Sequence, residues 1–247
     1  MRRWATALLV VVAGCGGFSA QPPASGPIVV FAAASLSEAF HEVGVAFQKR
    51  NPGDVQFNFA GSQALVAQVS QGAPVDVFAS ADQVNMQRLV DSGSVLEPPR
   101  IFAANQLQIV VPAGNPKSIR SLADLADPAK LVVLCAPAVP CGNYSAQALA
   151  RAGVKVAARS QEQDVKAVVT RVALREADAG IAYVTDVRAA GSRVQGVDIP
   201  AEQNVAATYP IAVVRTGSNP GRGRSFVDFV LSSEGQSILG RYGFAKP

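Results

Sequence analysis

Apolar positions along this chain follow two spacings in turn, which predicts strands and helices in regular succession. The first example runs from Ile28 to Phe40, where a strand-like run ends in three alanines, meets Ser35 and continues with apolar residues at helical spacing. This segment predicts a strand, a tight turn and a helix N-terminus. Ser35 and Glu38 also have the spacing of a capping box, which predicts that Ser35 caps the helix.

The same order of strand, small residues and helix recurs further along. Residues 55–59, VQFNF, alternate like a half-buried strand, and Ala60-Gly61-Ser62 leads from them into a helix pattern at 63–70. Further strands are predicted at 75–79, 107–112, 131–134, 177–186 and 209–214, and further helices at 82–91, 122–125, 144–152, 163–174 and, as a closing pair, within 219–240. Such alternation predicts an α/β fold of doubly wound sheets, whose ligands gather at the C-terminal strand ends.

The turns before these helices are candidate anion sites. The amides of a first helical turn lack intrahelical partners, and the helix dipole favours negative charge beside them. Pro140-Cys141-Gly142-Asn143 is a further turn of this kind, because its small residues leave the backbone amides reachable.

The N-terminus predicts export. Arg2 and Arg3 precede an apolar run that is too short to span a bilayer, so residues 1–14 read as a signal peptide. The run ends in Val12-Ala13-Gly14-Cys15, which resembles a lipoprotein signal and predicts lipidation of Cys15 after cleavage. Residues 15–27 are then a flexible tether from the membrane surface. An ordinary signal peptide with a chance cysteine is the alternative.

The distribution of charged residues and the number of cysteines argue against some classes of function. The 22 basic and 18 acidic residues are spread without a basic cluster among aromatics, which argues against a nucleic-acid partner. In an exported protein, the remaining pair Cys135 and Cys141 predicts a disulfide. A metal site is the alternative, but it would need further ligands, and the one histidine, His41, lies on a distant helix and reads as a surface residue.

Four segments together resemble the molybdate-binding component of bacterial ABC importers. They are FAAASL, AGSQALVAQVSQGAPVDVFASAD, VPCGNYSAQAL and DAGIAYVTD, in the order and spacing of that family, and the resemblance covers 28–247. It implies a type II periplasmic-binding-protein fold of two α/β lobes with the oxyanion in the cleft. The lobes would be 28–106 with 210–247, and 107–209, with hinges near 105–108 and 206–210.

The resemblance also implies the ligands of the oxyanion. Ser35 and Ser62 would donate from the first lobe, the amides of Cys141 and Val165 from the second, and the Tyr183 hydroxyl would complete the shell. The family commonly has alanine where this chain has Cys141, which an amide donor tolerates. It often has serine where this chain has Gln63, so a further donor there is in doubt.

The expected ligand is molybdate or tungstate, with no cofactor and no direct protein-to-metal bond. These dianions carry no proton at neutral pH, so hydroxyl and amide donors can satisfy every oxygen. Phosphate retains a proton and calls for an acidic acceptor, which the predicted set lacks. Sulfate is the stronger competitor because it also only accepts.

Other interpretations remain open from the sequence. Tyr183 could be a core tyrosine with a satisfied hydroxyl, Val165 a plain first-turn residue, and Asp76, Asp82 and Asp186 helix caps or turn residues. Rival functions are an enzyme with Ser35, Ser62 or Cys141 as nucleophile, or a structural lipoprotein without a ligand. The favoured interpretation is a monomeric, membrane-anchored, extracytoplasmic receptor that delivers its anion to an ABC permease.

Overall fold

The computed structural model describes residues 26–247. The predicted signal peptide, Cys15 and most of the tether lie outside the described residues. In the described part, the strands are β1 (Ile28–Ala33), β2 (Val55–Ala60), β3 (Val77–Ala79), β4 (Arg100–Asn105), β5 (Leu107–Pro112), β6 (Val132–Cys135), β7 (Ser160–Glu162), β8 (Ala179–Tyr183), β9 (Val194–Asp198) and β10 (Ala207–Val213). The helices are α1 (Ser37–Arg50), α2 (Ser62–Ser70), α3 (Gln83–Asp91), α4 (Pro140–Arg151), α5 (Val165–Ala173), α6 (Val184–Ala190), α7 (Pro220–Leu231) and α8 (Ser233–Arg241), with 3-10 turns at Ala34–Leu36, Leu122–Ala126 and Gly191–Arg193.

The strands form two mixed sheets built on one plan. Their orders are β2-β1-β3-β10-β4 and β7-β6-β8-β5-β9. In each, three parallel strands are followed by an antiparallel strand, β10 in the first sheet and β5 in the second. The predicted α/β class is confirmed. Helices pack on the sheets, and each sheet with its helices is called a lobe below.

The chain passes between the lobes twice. The first crossing is Gln106, between β4 and β5, and the second is the segment 199–206 between β9 and β10. Asn204 joins the two crossings, because its side chain bonds both the amide and the carbonyl of Leu107, at 3.1 and 2.8 Å. Since β10 already pairs with β4 from Ala207, the predicted lobe boundary at 209/210 falls inside this strand.

Side-chain composition explains both cores. The central strands β1 and β8 are almost wholly buried, as expected for near-continuous apolar runs in parallel sheets. The first lobe packs phenylalanines around Phe40, which contacts Phe57, Phe102 and Phe226 with ring centroids 5.7–6.2 Å apart. His41 is exposed and lies edge-on to Phe57 and Phe59, in agreement with a surface residue.

The structure changes two predicted elements and adds others. The run 177–186, predicted as one strand, is β8 up to Tyr183 and then α6. The helix predicted from Tyr144 begins at Pro140, which suits a first helical position because its missing N–H would have no intrahelical partner. Strands β4, β7 and β9 were not predicted. Among residues 26–247, no helix is both long and apolar enough to cross a bilayer.

Candidate functional site

One pocket is lined by all five residues singled out as oxyanion donors, namely Ser35, Ser62, Cys141, Val165 and Tyr183. It lies between the lobes, where β1 and β2 end on one side and β6, β7 and β8 end on the other. The strand order explains this placement, because parallel strands bring their C-terminal ends to one edge of a sheet. The space between these residues, together with the open solvent at its mouth, is about 200 Å³. The remaining lining residues are small or apolar, apart from Asp164: Ala33, Ala34, Ala60, Gly61, Ala81, Val139 and Pro140.

Ser35 does not cap α1. Residues Ala34–Leu36 form a 3-10 turn, α1 starts at Ser37, and its N-terminus has no side-chain cap. The Ser35 hydroxyl lies 3.1 Å from the Tyr209 hydroxyl, and the Glu38 carboxylate is bonded elsewhere. The predicted capping box is therefore wrong, because the 3-10 turn moves the helix start beyond Ser35 and leaves this serine in the pocket wall.

Ser62 is the first residue of α2 and is almost fully buried. Its Oγ accepts a hydrogen bond of 3.1 Å from the amide of Ala81. The preceding Gly61 faces the carbonyl of Gln163 in the second lobe so closely that a Cβ would not fit. The side chain of Gln63 donates to that same carbonyl at 2.9 Å, so its amide group bridges the lobes, and Gln63 does not line the pocket.

The second lobe brings two helix N-termini to the pocket. Cys141 is the second residue of α4 and Val165 the first of α5, so both backbone amides belong to turns without intrahelical acceptors. Gly142 packs against the carbonyl of Ala136 where no Cβ would fit, so this turn requires glycine. The carboxylate of Asp164 caps α5 by accepting from its backbone at 2.9 Å.

Tyr183 stands at the end of β8 and is 1% exposed. Its hydroxyl has no hydrogen-bond partner within the described chain, which contradicts the interpretation as a core tyrosine with a satisfied hydroxyl. Buried polar groups are nearly always paired, so this hydroxyl is available to bond a molecule in the pocket. Burial raises the pKa of Tyr183 well above its usual value, so the group keeps its proton and can donate.

A bridge between the lobes was not predicted from the sequence. Lys166, next to Val165, bonds both oxygens of Glu38 in the first lobe at 2.9 and 2.7 Å, and its Nζ lies 3.1 Å from Asp186. Burial alone would lower the pKa of Lys166, but the charge of Asp186 and the Glu38 hydrogen bond outweigh it and raise it. Burial raises the pKa of Asp186 to about 6, against the charge of Lys166.

The other acidic residues hold backbone in place. Asp82 caps α3 by accepting from the amide of Asn85, as predicted. Asp76 accepts from the amides of Val29 and Asn219 and so ties β1 to the start of α7. Asp186 pairs with Lys166 and is not a cap, because the first turn of α6 places it beside that helix-borne cation.

Cys135 and Cys141 lie at opposite ends of the turn that leads into α4. Their Cα atoms are 5.8 Å apart and both side chains are buried. This separation is within the range that a disulfide requires. The turn therefore places a possible cross-link directly behind one of the candidate amide donors.

Comparison with known proteins agrees with this architecture. A family model described as bacterial extracellular solute-binding protein matches residues 28–245. The molybdate-binding protein ModA of Mycobacterium tuberculosis is 42% identical over 248 residues, which cover 96% of this chain and 95% of that protein.

Solved structures share the fold. The periplasmic molybdate-binding protein of Azotobacter vinelandii has a TM-score of 0.78 at 18% identity and covers 89% of this chain and 99% of that one. The sulfate-binding protein SubI of Mycobacterium tuberculosis has a TM-score of 0.79 at 22% identity and covers 90% and 87%. At these identities the likeness shows the fold alone, and the predicted two-lobed periplasmic-binding-protein fold is confirmed. Since the family model spans most of the sequence and a relative is 42% identical along it, the chain belongs to the family of bacterial extracellular solute-binding proteins.

Proposed function

We propose that this chain binds molybdate, and also tungstate, in the pocket between its lobes. The observation that carries the proposal is the set of donors around that pocket, above all the buried Tyr183 hydroxyl without a partner among residues 26–247. The oxygens of a deprotonated tetrahedral dianion only accept hydrogen bonds, and hydroxyl and amide groups can satisfy them. The relative named as a molybdate-binding protein supports the same ligand.

The number of donors is sufficient for tight binding. A hydrogen bond to a charged group contributes roughly 1.5–3 kcal/mol, and submicromolar affinity requires about 8 kcal/mol or more. Five converging donors reach that sum after part of it is lost to desolvation of the anion. The one acidic residue in the lining, Asp164, accepts from the Ala167 amide at the N-terminus of α5, where the helix dipole offsets part of its charge.

Sulfate is the second candidate ligand. It is also an acceptor-only dianion, and the fold is shared with a sulfate-binding protein at a nearly equal TM-score. Hydrogen-bond donors alone cannot distinguish molybdate from sulfate, so the dimensions of the pocket must do so.

An enzymatic role is set aside, because the family is one of solute-binding proteins.

Calorimetric titration of residues 26–247 tests the proposal. Molybdate and tungstate are expected to bind at submicromolar concentration, sulfate far more weakly, and phosphate most weakly of the four. Sulfate binding as tight as molybdate binding would overturn the molybdate assignment, and the absence of binding by all four anions would overturn the receptor function.

The route of the ligand forms part of the proposal. Cys15 would carry a lipid that holds a monomeric protein at the membrane, and the lobes would close around the anion by bending near 105–108 and 206–210. The closed form would then dock on an ABC permease. Solution scattering should show compaction when molybdate is added. Unchanged scattering would contradict closure.

We also propose that Cys135 and Cys141 form a disulfide in the exported protein. The bond closes a loop of few residues, so its value is rigidity of the turn that presents the Cys141 amide and not a large gain in chain entropy. Thiol labelling after denaturation, with and without a reductant, tests it. Two thiols that label without reductant would contradict the bond.

A further inference from the structure

We propose that Tyr209 and Asn105 orient the Ser35 hydroxyl so that its hydrogen points into the pocket, and that this polarity disfavours oxyanions that carry a proton. The inference rests on the proposed function and extends it to two positioning residues. Neither Tyr209 nor Asn105 lines the pocket, and both are buried behind Ser35.

The direction is set first at Asn105. Its Oδ1 accepts from the amide of Gln106 at 2.9 Å, which fixes which end of the side-chain amide is the oxygen. The Nδ2 group therefore has two hydrogens for its other neighbours. It donates to Oγ1 of Thr185 at 2.8 Å and to the hydroxyl of Tyr209 at 3.4 Å.

Tyr209 passes this direction on to Ser35. Since its hydroxyl oxygen accepts from Asn105, its own hydrogen is free for the Ser35 Oγ, 3.1 Å away. Tyr209 is fully buried, and burial raises the pKa of its hydroxyl, so that hydrogen is retained. Ser35 then accepts from behind and has its own hydrogen left for the pocket.

Ser62 is held in the same sense by a different partner. The amide of Ala81 can only donate, and it does so to the Ser62 Oγ at 3.1 Å. Ser62 therefore also has its hydrogen left for the pocket. With Tyr183 lacking any partner in the described chain, the three hydroxyls can all donate to a bound ion at once.

This polarity distinguishes anions by protonation. Molybdate needs donors on every oxygen, whereas hydrogen phosphate presents a hydroxyl that must find an acceptor. A buried hydroxyl without an acceptor is unfavourable, so serines held as donors penalise hydrogen phosphate wherever its hydroxyl meets them. Asp164, the one carboxylate in the lining, already accepts from the backbone of α5. A serine free to rotate would relieve that penalty by offering its lone pairs. The hydrogen bond from Tyr209 disfavours this rotation at Ser35.

The variant Tyr209→Phe tests the inference. It keeps the ring that packs against Phe102, Tyr183 and Phe244 and removes the hydroxyl. Calorimetry with molybdate, and competition with phosphate at constant pH, should show molybdate affinity about tenfold lower and phosphate rejection weaker relative to molybdate. Asn105→Ala should shift the ratio in the same direction. The control is Tyr242→Phe, which removes a tyrosine hydroxyl at the end of α8, outside the pocket lining.

A double-mutant cycle separates positioning from a general loss of structure. If Tyr209 acts through Ser35, then Tyr209→Phe should not change the ratio of phosphate to molybdate affinity further in the Ser35→Ala background. Additive effects, or an unchanged ratio in Tyr209→Phe, would overturn the inference while the wild type still binds molybdate. A wild type that binds no molybdate would instead overturn the proposed function.

Discussion

The two lobes present their candidate oxyanion donors in opposite ways. In the first lobe, the Ser35 hydroxyl is hydrogen-bonded to the Tyr209 hydroxyl, and the Ser62 hydroxyl accepts from the Ala81 amide. In the second lobe, the donors are first-turn amides and the Tyr183 hydroxyl, which has no partner among residues 26–247. The first side is thus organised before a ligand arrives, and the second side carries the unsatisfied groups. Ligand binding should therefore satisfy more unpaired donors in the second lobe than in the first.

The second lobe also differs in charge. Asp186 is fully buried near Tyr183, where a negative charge opposes an anion, and Lys166 lies between it and Glu38 of the first lobe. Lys166 thus offsets the charge of Asp186 within the second lobe and, through Glu38, also joins the two lobes. Substitutions of the charged groups and of the neutral donors can therefore test this difference between the lobes.

The largest expected effect is on the pH dependence of stability in Asp186→Asn. The pKa of Asp186 is raised to about 6, so the native state of the wild type holds this proton more tightly than the unfolded state does, and this stabilising contribution is lost as pH rises from about 4 to about 6. Asp186→Asn has no carboxyl group at this position, so its stability does not fall with the titration of this group. Its unfolding free energy relative to wild type should therefore rise by about 3 kcal/mol between pH 4 and pH 7.

Urea unfolding at several pH values measures this difference. Glu38 acts in the opposite sense: burial would raise its pKa, but Lys166 outweighs it and lowers it, so its contribution is lost as pH falls. Both proteins retain Glu38, so the difference between them reports Asp186 together with its coupling to Glu38 through Lys166. Asp228→Asn, at an exposed carboxylate, is the matched control. A constant difference between Asp186→Asn and wild type would contradict the assignment.

Tyr183→Phe should separate binding from stability. The variant removes one charge-assisted hydrogen bond to the anion, worth about 2 kcal/mol, so molybdate affinity should fall by roughly thirtyfold. The ligand-free protein should be no less stable than wild type, because the lost hydroxyl had no partner in the described chain. Calorimetry and urea unfolding measure the two quantities. A loss of stability equal to the loss of affinity would mean that the hydroxyl has a structural partner.

Ser62→Ala should affect both quantities, in contrast to Tyr183→Phe. The change removes a donor to the anion and also leaves the buried Ala81 amide without its acceptor, which costs about 1 kcal/mol or somewhat more. Affinity should fall by about tenfold. Ser70→Ala, at the exposed end of the same helix, is the control. If the ligand-free stability stays at the wild-type value, the first lobe is not organised by this hydrogen bond.

Local patterns in the sequence indicated the turns at Ser35, Ser62 and Pro140–Asn143, and the family resemblance supplied the full set of candidate donors, including Val165 and Tyr183. Each candidate donor follows a strand and opens or precedes a helix, and the parallel order of the strands brings these turns to one edge. Short polar strands such as β7, with the sequence SQE, have no apolar alternation to reveal them. The helix start after Ser35 was mistaken because a 3-10 turn and a capped helix share one local pattern.

Contacts between distant residues could not be predicted in this way. Tyr209 is 174 positions from Ser35, and Lys166 is 128 positions from Glu38. Such pairs are set by how the lobes meet, and neither residue has a local pattern that names its partner. A tyrosine in a buried strand reads as core, and a lysine in an amphipathic helix reads as solvent-exposed. The sequence therefore indicated the candidate donors but not the distant residues that hold them in place.

The smallest expected effect belongs to Gln63→Ala, which tests the contact between the lobes directly. Gln63 donates across the cleft to the Gln163 carbonyl at 2.9 Å, near the surface, where one hydrogen bond contributes about 0.5 kcal/mol. Molybdate should dissociate about twofold faster, with the association rate unchanged, because the bond forms only after the lobes meet. Stopped-flow measurements resolve the two rates. Gln87→Ala, on the neighbouring helix α3, is the control, since its side chain bonds within its own helix. A slower association in Gln63→Ala would mean that this residue acts on the open form, before the two sides of the pocket come together.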